Sequence, residues 1–182
     1  MVTRWSILIA LMVCAVAGCG RGGSSPVQRK YWPLRDVRKM PAEITIASGT
    51  TFLCGGVPCR LLGVKDSSNP DIRQQAETFT RLWFKEIGNY IGIYNDSNPL
   101  IAPDGTAVVW VRGYDTYLSC LSEELVRAGL VEVDDECCEG YTFTEPTMGG
   151  EAIHDWRGTL HRAKEGHARG EKPEVLFDWP PK

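Results

Sequence analysis

Polar and apolar residues alternate from Glu43 to Ala47 (Glu43, Ile44, Thr45, Ile46), the period of a half-buried strand. Ser48-Gly49 reads as a turn, after which Thr51-Phe52-Leu53-Cys54 predicts a second strand and Val57 to Val64 a third, joined through Gly55-Gly56. The period then changes. Asn69-Pro70 supplies an N-cap and a first helical position that needs no N–H donor. Ile72, Ala76, Phe79, Trp83 and Ile87 follow at spacings of four, three, four and four, one apolar helical stripe closed by Gly88-Asn89. Tyr90 to Tyr94 and Ala107 to Arg112 predict two more strands around a turn-rich segment from Asn95 to Gly105. A short helix brings Leu118, Leu121, Leu125 and Ala128 to one face before Gly129. A last helix is expected within Gly150 to Ala168, ahead of a proline-rich tail from Leu176 to Pro181. Five short strands and three helices without internal repeat predict an α+β, mainly β domain, a five-stranded barrel of the OB type whose closure removes free sheet edges.

The chain ahead of this domain has another composition. Arg4 precedes an apolar run from Trp5 to Ala17, shorter than the roughly 20 residues of a spanning helix. Val16-Ala17-Gly18 then leads to Cys19. This is an export signal, and its junction resembles a bacterial lipobox, in which cleavage leaves Cys19 as the acylated N-terminus. The alternative is a plain signal peptide cut near Ala17 or Gly18, with Cys19 an unmodified thiol. Gly20 to Ser25 has the composition of a flexible tether. Arg21, Arg29, Lys30, Arg35, Arg38 and Lys39 stand against the single acid Asp36, a basic stretch suited to anionic lipid headgroups or simply to solvent. The expected organisation is a lipoprotein signal peptide over 1–18, a basic tether over 19–42 and one domain over 43–182. Such a protein belongs to the bacterial cell envelope, lipid-anchored to a membrane and facing the periplasm or exterior.

Composition narrows the possibilities further. The 182 residues are 43% hydrophobic and 24% charged with a net charge of -3, which excludes a disordered chain and gives no whole-molecule attraction to phosphate. Beyond Cys19 stand Cys54, Cys59, Cys120, Cys137 and Cys138. In an exported chain the default is two disulfides and a spare thiol, here Cys54 with Cys59 across the glycine turn and Cys120 with Cys137 or Cys138. Zinc is one alternative, although adjacent cysteines lack the gap of roughly two to four residues by which two thiolates chelate one ion. A redox module of Cys120, Cys137 and Cys138 is another. His154, His161 and His167 are spaced by seven and six, not by the four of a zinc-binding helix pair. Glu132, Asp134, Asp135, Glu136 and Glu139 read as a solvated acidic turn, and Trp110 as core rather than as part of an aromatic platform with Tyr114 and Tyr117.

Four stretches carry a family resemblance. Cys59-Arg60-Leu61-Leu62-Gly63-Val64 is similar to a strand written R-L-L-G-I-D-T-P-E, and Ala76-Glu77-Thr78-Phe79-Thr80 to a helix motif E-A-x-x-F. Ser122-Glu123-Glu124-Leu125-Val126-Arg127-Ala128-Gly129-Leu130 matches L-N-E-x-L-V-R-x-G-L, and His161-Arg162-Ala163-Lys164 leads to a closing Phe177-Asp178-Trp179. In this order, from Ile44 to Trp179, they resemble the staphylococcal nuclease-like, or thermonuclease, family. The resemblance implies the same OB barrel. It also implies a site in which two aspartates bind calcium, a glutamate prepares water and two arginines clamp phosphate.

This chain departs from that site at nearly every position. The D-G-D-T turn reads Ser48-Gly49-Thr50-Thr51, the aspartate of D-T-P-E is Lys65, the glutamate position falls on Ser68, and Thr106 stands at the second arginine. Arg60 alone remains. Calcium needs several hard oxygen ligands, and an ammonium at the ion's place repels it. A one-residue slip would offer Asp66, but it turns that side chain to the other face unless a bulge intervenes. The expectation is therefore a nuclease-like domain without calcium or other cofactor that serves as a binding or structural module. Its partners would be the membrane, through the anchor, and an anionic small molecule, nucleic acid or envelope protein at Arg60. The competing expectation is an exported metal-dependent phosphodiesterase with a rearranged site of Arg60, Asp66 and Asp71.

Overall fold

The computed structural model describes residues 43–87, 91–94, 100–113, 120–147, 150–175 and 177–180. Cys19, the signal and tether regions, the Gly88-Asn89 cap, Leu118, Tyr114 and Tyr117 lie outside them. In chain order the elements are β1 (Ile44–Ile46), β2 (Thr51–Cys54), β3 (Val57–Leu61), β4 (Val64–Asp66), α1 (Pro70–Ile87), β5 (Ile91–Tyr94) and β6 (Leu100–Ile101). There follow β7 (Ala107–Gly113), α2 (Leu121–Arg127), β8 (Val131–Val133), β9 (Thr144–Thr147), β10 (Gly150–Ile153) and α3 (Trp156–Ala168). The fold is α+β. A mixed sheet runs β1-β2-β3-β7-β5 with β6 also on β7, and β4–β8 and β9–β10 form separate two-stranded ladders. In the main sheet β3 and β7 pair in parallel and the other neighbours are antiparallel.

Local chemistry accounts for most of these elements. Cys54 opposes Val57 across Gly55 and Gly56, whose φ angles of 56° and 81° are those of a tight hairpin turn that follows the strand twist. Asn69 caps α1, its Oδ1 accepting the Asp71 N–H at 2.9 Å. The apolar stripe of α1 is the one its spacing predicts, with Ala76, Phe79 and Trp83 fully buried. Asp155 caps α3 in the same manner, accepting from the Gly158 N–H at 3.0 Å. Replacing Asn69 by Ala is expected to lower stability by about 1 kcal/mol, read as a shift in urea midpoint, with Asn69→Ser close to wild type.

Two expectations, on the third strand and on closure of the barrel, need correction. The third strand ends at Leu61, because a turn at Leu62-Gly63 redirects the chain into β4, which leaves the main sheet and pairs with β8. The last helix lies within Gly150 to Ala168 as expected, from Trp156 after the Asp155 cap, and the strand β10 precedes it. The expected barrel does not close among the described residues: β1 and β5 end the pairing path. At the β1 end Arg81 of α1 donates to the Ile46 carbonyl at 3.3 Å, so a side chain meets the backbone there.

The core gathers around the middle of the sheet. β7 is buried along nearly its whole length, with β3, β5 and β6 as strand partners and α2 packed on it. α2 packs in turn on α3 and on α1. No helix among the described residues is long and apolar enough to cross a membrane.

Candidate functional site

Strand alternation decides where Arg60 stands. Val57, Cys59 and Leu61 of β3 turn into the core, so Arg60 turns the other way, opposite Thr51 of β2 and Val108 of β7. It is nevertheless half-buried, because the turn after β8 lies against it. The β4–β8 ladder places that turn: Val64 opposes Val133, and the Gly63 carbonyl accepts the Asp134 N–H at 2.9 Å. The result is a contact between residues 77 positions apart, with Arg60 Nη2 directed at Cys137 Sγ from 3.9 Å. Arg60 Nε is buried with no hydrogen-bond partner among the described residues. On the other side Asp104 is held below the usual carboxylate range by the N–H and hydroxyl of Thr106, with Arg60 adding to the effect.

The turn itself is built around two sulfurs. The Cys137 N–H donates to the carbonyl and to Oδ1 of Asp134, both at 3.2 Å, which fixes the backbone and engages that carboxylate. Cys138 is the one non-glycine residue with positive φ among the described residues, at 63°. The Cys138 thiol donates to Cys137, and with the Gly63 N–H and the Arg60 charge it brings the Cys137 thiol down to about 6 against the opposing effect of burial. Cys138 moves up from the ordinary thiol value, because it gives its proton to that hydrogen bond, is half-buried and faces the charge on Cys137. The thiolate thus takes the place of an anion beside Arg60.

The positions compared in sequence with the nuclease-like pattern hold other chemistry. Ser48 Oγ and Thr51 Oγ1 hydrogen-bond each other at 2.9 Å, and Ser48 Oγ also accepts the N–H groups of Thr50 and Thr51 at 3.1 Å. Lys65 is exposed on β4 and lies 3.8 Å from Glu132, its cross-strand neighbour on β8. Ser68 is exposed, and Asn69 is occupied in capping α1. Asp66 is half-buried with its Oδ1 unpartnered among the described residues, while Asp71 is exposed in the first turn of α1. Among the described residues no three His, Cys, Asp or Glu side chains gather as a metal site.

The five cysteines beyond Cys19 stand as thiols, so neither expected disulfide is formed. Strand register explains the first. Cys54 opposes Val57 and Cys59 opposes Phe52, which makes the two cysteines diagonal neighbours. Such neighbours lie roughly 7–8 Å apart, beyond the usual reach of a disulfide. Cys120 is buried at the start of α2, where loss of solvent pushes its thiol well above the ordinary value. Cys137 and Cys138 are turned to Arg60 instead.

The remaining candidates have structural partners. His161 Nε2 meets Asp135 Oδ1 at 2.8 Å, and His167 Nδ1 lies 3.0 Å from the Arg127 carbonyl. His154 packs against Trp110 and Phe143 with ring centroids 4.9 and 5.1 Å apart, and Trp110 is buried. The motif around α2 is an anchor for the C-terminal segment: buried Glu124 accepts the Glu174 N–H at 2.7 Å, and Arg127 reaches Glu123, Glu124 and Glu174 at 2.7, 3.6 and 3.4 Å.

Sequence reasoning found Arg60 and noted the cysteines but did not bring them together. The signal available was a pair of adjacent cysteines inside an acidic turn. No family model matches the chain, and no curated protein does either.

Proposed function

We propose that this chain is an envelope-anchored lipoprotein whose nuclease-like OB domain has lost phosphodiester chemistry and serves as a binding or structural module. The lipid on Cys19 would hold it to a membrane, with the basic tether between anchor and domain. The mixed path β1-β2-β3-β7-β5, with its one parallel contact between β3 and β7, supports a partly open Greek-key barrel of the OB type. The four sequence stretches supply the resemblance.

The observation that carries the loss of chemistry is the state of the cation positions. Ser48 hydrogen-bonds the neighbouring Thr51, Thr50 is buried with its N–H given to Ser48 Oγ, and Lys65 forms an exposed pair with Glu132. Two hydroxyls and an ammonium offer calcium none of the carboxylate oxygens it requires. The surviving arginine faces sulfur rather than an open phosphate position. An anionic small molecule, a nucleic-acid phosphate or a carboxylate of an envelope protein suits a lone guanidinium, and each would have to share it with Cys137.

The full chain incubated with single-stranded DNA or RNA and calcium is expected to leave the polymer intact. Cleavage that disappears in Arg60→Ala would overturn this reading. Asp66 Oδ1, buried and unpartnered among the described residues, favours a second reading, a metal-dependent phosphodiesterase using Arg60, Asp66 and Asp71. That reading requires metal-dependent cleavage lost in Asp66→Asn.

A further inference from the structure

We infer that Cys137 and Cys138 form a thiol–disulfide exchange site, with Cys137 the attacking sulfur, Cys138 the resolving one and small disulfides as substrates. This goes beyond the binding-module reading and does not rest on it. The pair is only half-buried, whereas Cys54, Cys59 and Cys120 are enclosed at 1, 1 and 3% exposure. Among the described cysteines, a reagent in solvent therefore meets these two sulfurs first.

Geometry divides the labour between them. Arg60 stands 3.9 Å from Cys137 Sγ, the Gly63 N–H points to the same sulfur, and Cys138 donates its proton to it. Asp134, the nearest carboxylate on the turn, is engaged by the Cys137 N–H. These groups hold Cys137 as thiolate at neutral pH, and only the thiolate is nucleophilic. Cys138 keeps its proton. One ionised and one protonated sulfur is the arrangement of an attacking and a resolving thiol. Cys138 is also held in left-handed backbone, a conformation unfavourable for a non-glycine residue. Such strain tends to collect where it serves a function.

The exchange balances without a further reagent. The Cys137 thiolate attacks one sulfur of a disulfide RSSR, a Cys137–SR bond forms, the S–S bond of RSSR breaks, and RS⁻ leaves. Cys138 gives its proton to the medium and attacks Cys137 Sγ. The second RS⁻ leaves and a bond between Cys137 and Cys138 closes. The two cysteines lose two electrons, and RSSR gains them as two thiols, which take up protons according to the pH.

The test uses the full chain, purified in mild detergent, reduced and mixed with hydroxyethyl disulfide at neutral pH. This probe is neutral, so the acids flanking the turn neither attract nor repel it. Mass spectrometry of the 128–157 peptide is expected to show loss of two hydrogens from the wild-type pair. Cys138→Ser should stop at a mixed disulfide on Cys137, and Cys137→Ser should react at least about tenfold more slowly. A second measurement needs no variant: the pH profile of wild-type Cys137 alkylation by iodoacetamide. The charged and titratable groups facing this sulfur are Arg60 from β3 and Asp134 and Cys138 from its own turn. Its midpoint is expected near 6, and Arg60→Gln should move it upward with circular dichroism unchanged. Modification directed to Cys54, Cys59 or Cys120, a bond from Cys120 to either member of the pair, or a wild-type midpoint near the ordinary thiol value of about 8.5 overturns the inference.

Discussion

Gly63→Ala is expected to destabilise the fold by about 3 kcal/mol or more. Gly63 has φ of 72°, a conformation that costs an alanine about 1–2 kcal/mol. A Cβ there would also lie 2.5 Å from Trp156 Cζ3 and 2.6 Å from Leu160 Cδ1. Both side chains are buried, and Trp156 is further fixed by its Nε1 donating to the Tyr141 carbonyl at 3.0 Å. Neither can yield without moving α3, so a penalty of about 1–3 kcal/mol for overpacking adds to the backbone cost. Native proteins hold only about 5–15 kcal/mol in reserve. The Gly63 carbonyl also holds the Asp134 N–H, so displacement of this residue shifts the turn that carries Cys137. Urea unfolding checks the first effect and the alkylation rate of Cys137 the second. A Gly63→Ala protein within about 1 kcal/mol of wild type would contradict both the turn and its packing on α3.

The second large effect is a fall in stability as pH rises, set by Glu124. Its side chain is 2% exposed, and burial lifts its carboxyl to about 7. Arg127 and the Glu174 N–H act in the opposite direction but do not prevail. Arg127 is divided among three carboxylates and lies closest to Glu123, at 2.7 Å against 3.6 Å for Glu124. The folded pKa therefore exceeds the unfolded one, and between them the folded chain binds the additional proton. Stability from this group is complete below about 4.5 and is lost as pH rises towards about 7, a change of about 3 kcal/mol. Glu124→Gln keeps an oxygen for the Glu174 N–H and carries no charge at any pH. Urea midpoints of wild type are expected to fall across that interval relative to Glu124→Gln, and parallel curves for the two proteins would contradict the assignment.

The same motif shows what the sequence can and cannot disclose. The α1 stripe, the Asn69 cap and the Gly55-Gly56 hairpin are local, since each depends on residues a few positions apart, and the structure contains them as expected. The turn at Leu62-Gly63 lay inside an apolar run that reads equally well as one continuous strand. Only the pairing of β4 with β8, distant in sequence, shows that the run is broken. The Cys54–Cys59 bridge failed for a related reason: spacing across a turn does not fix strand register, and register made the two residues diagonal. Lys65 and Ser48 were legible as residues unsuited to a cation, and their partners, Glu132 and Thr51, satisfy them in other ways. The meeting of Arg60 with Cys137 was not legible, because it is produced by the β4–β8 ladder carrying its following turn across β3.

The most direct measurement of the central proposal, that Ser48, Thr50 and Lys65 leave this domain without a calcium site, is calorimetric titration of calcium into the full chain at neutral pH. The account predicts no saturable heat for wild type and none for Asp66→Asn. A one-to-one isotherm in wild type that vanishes in Asp66→Asn would contradict it.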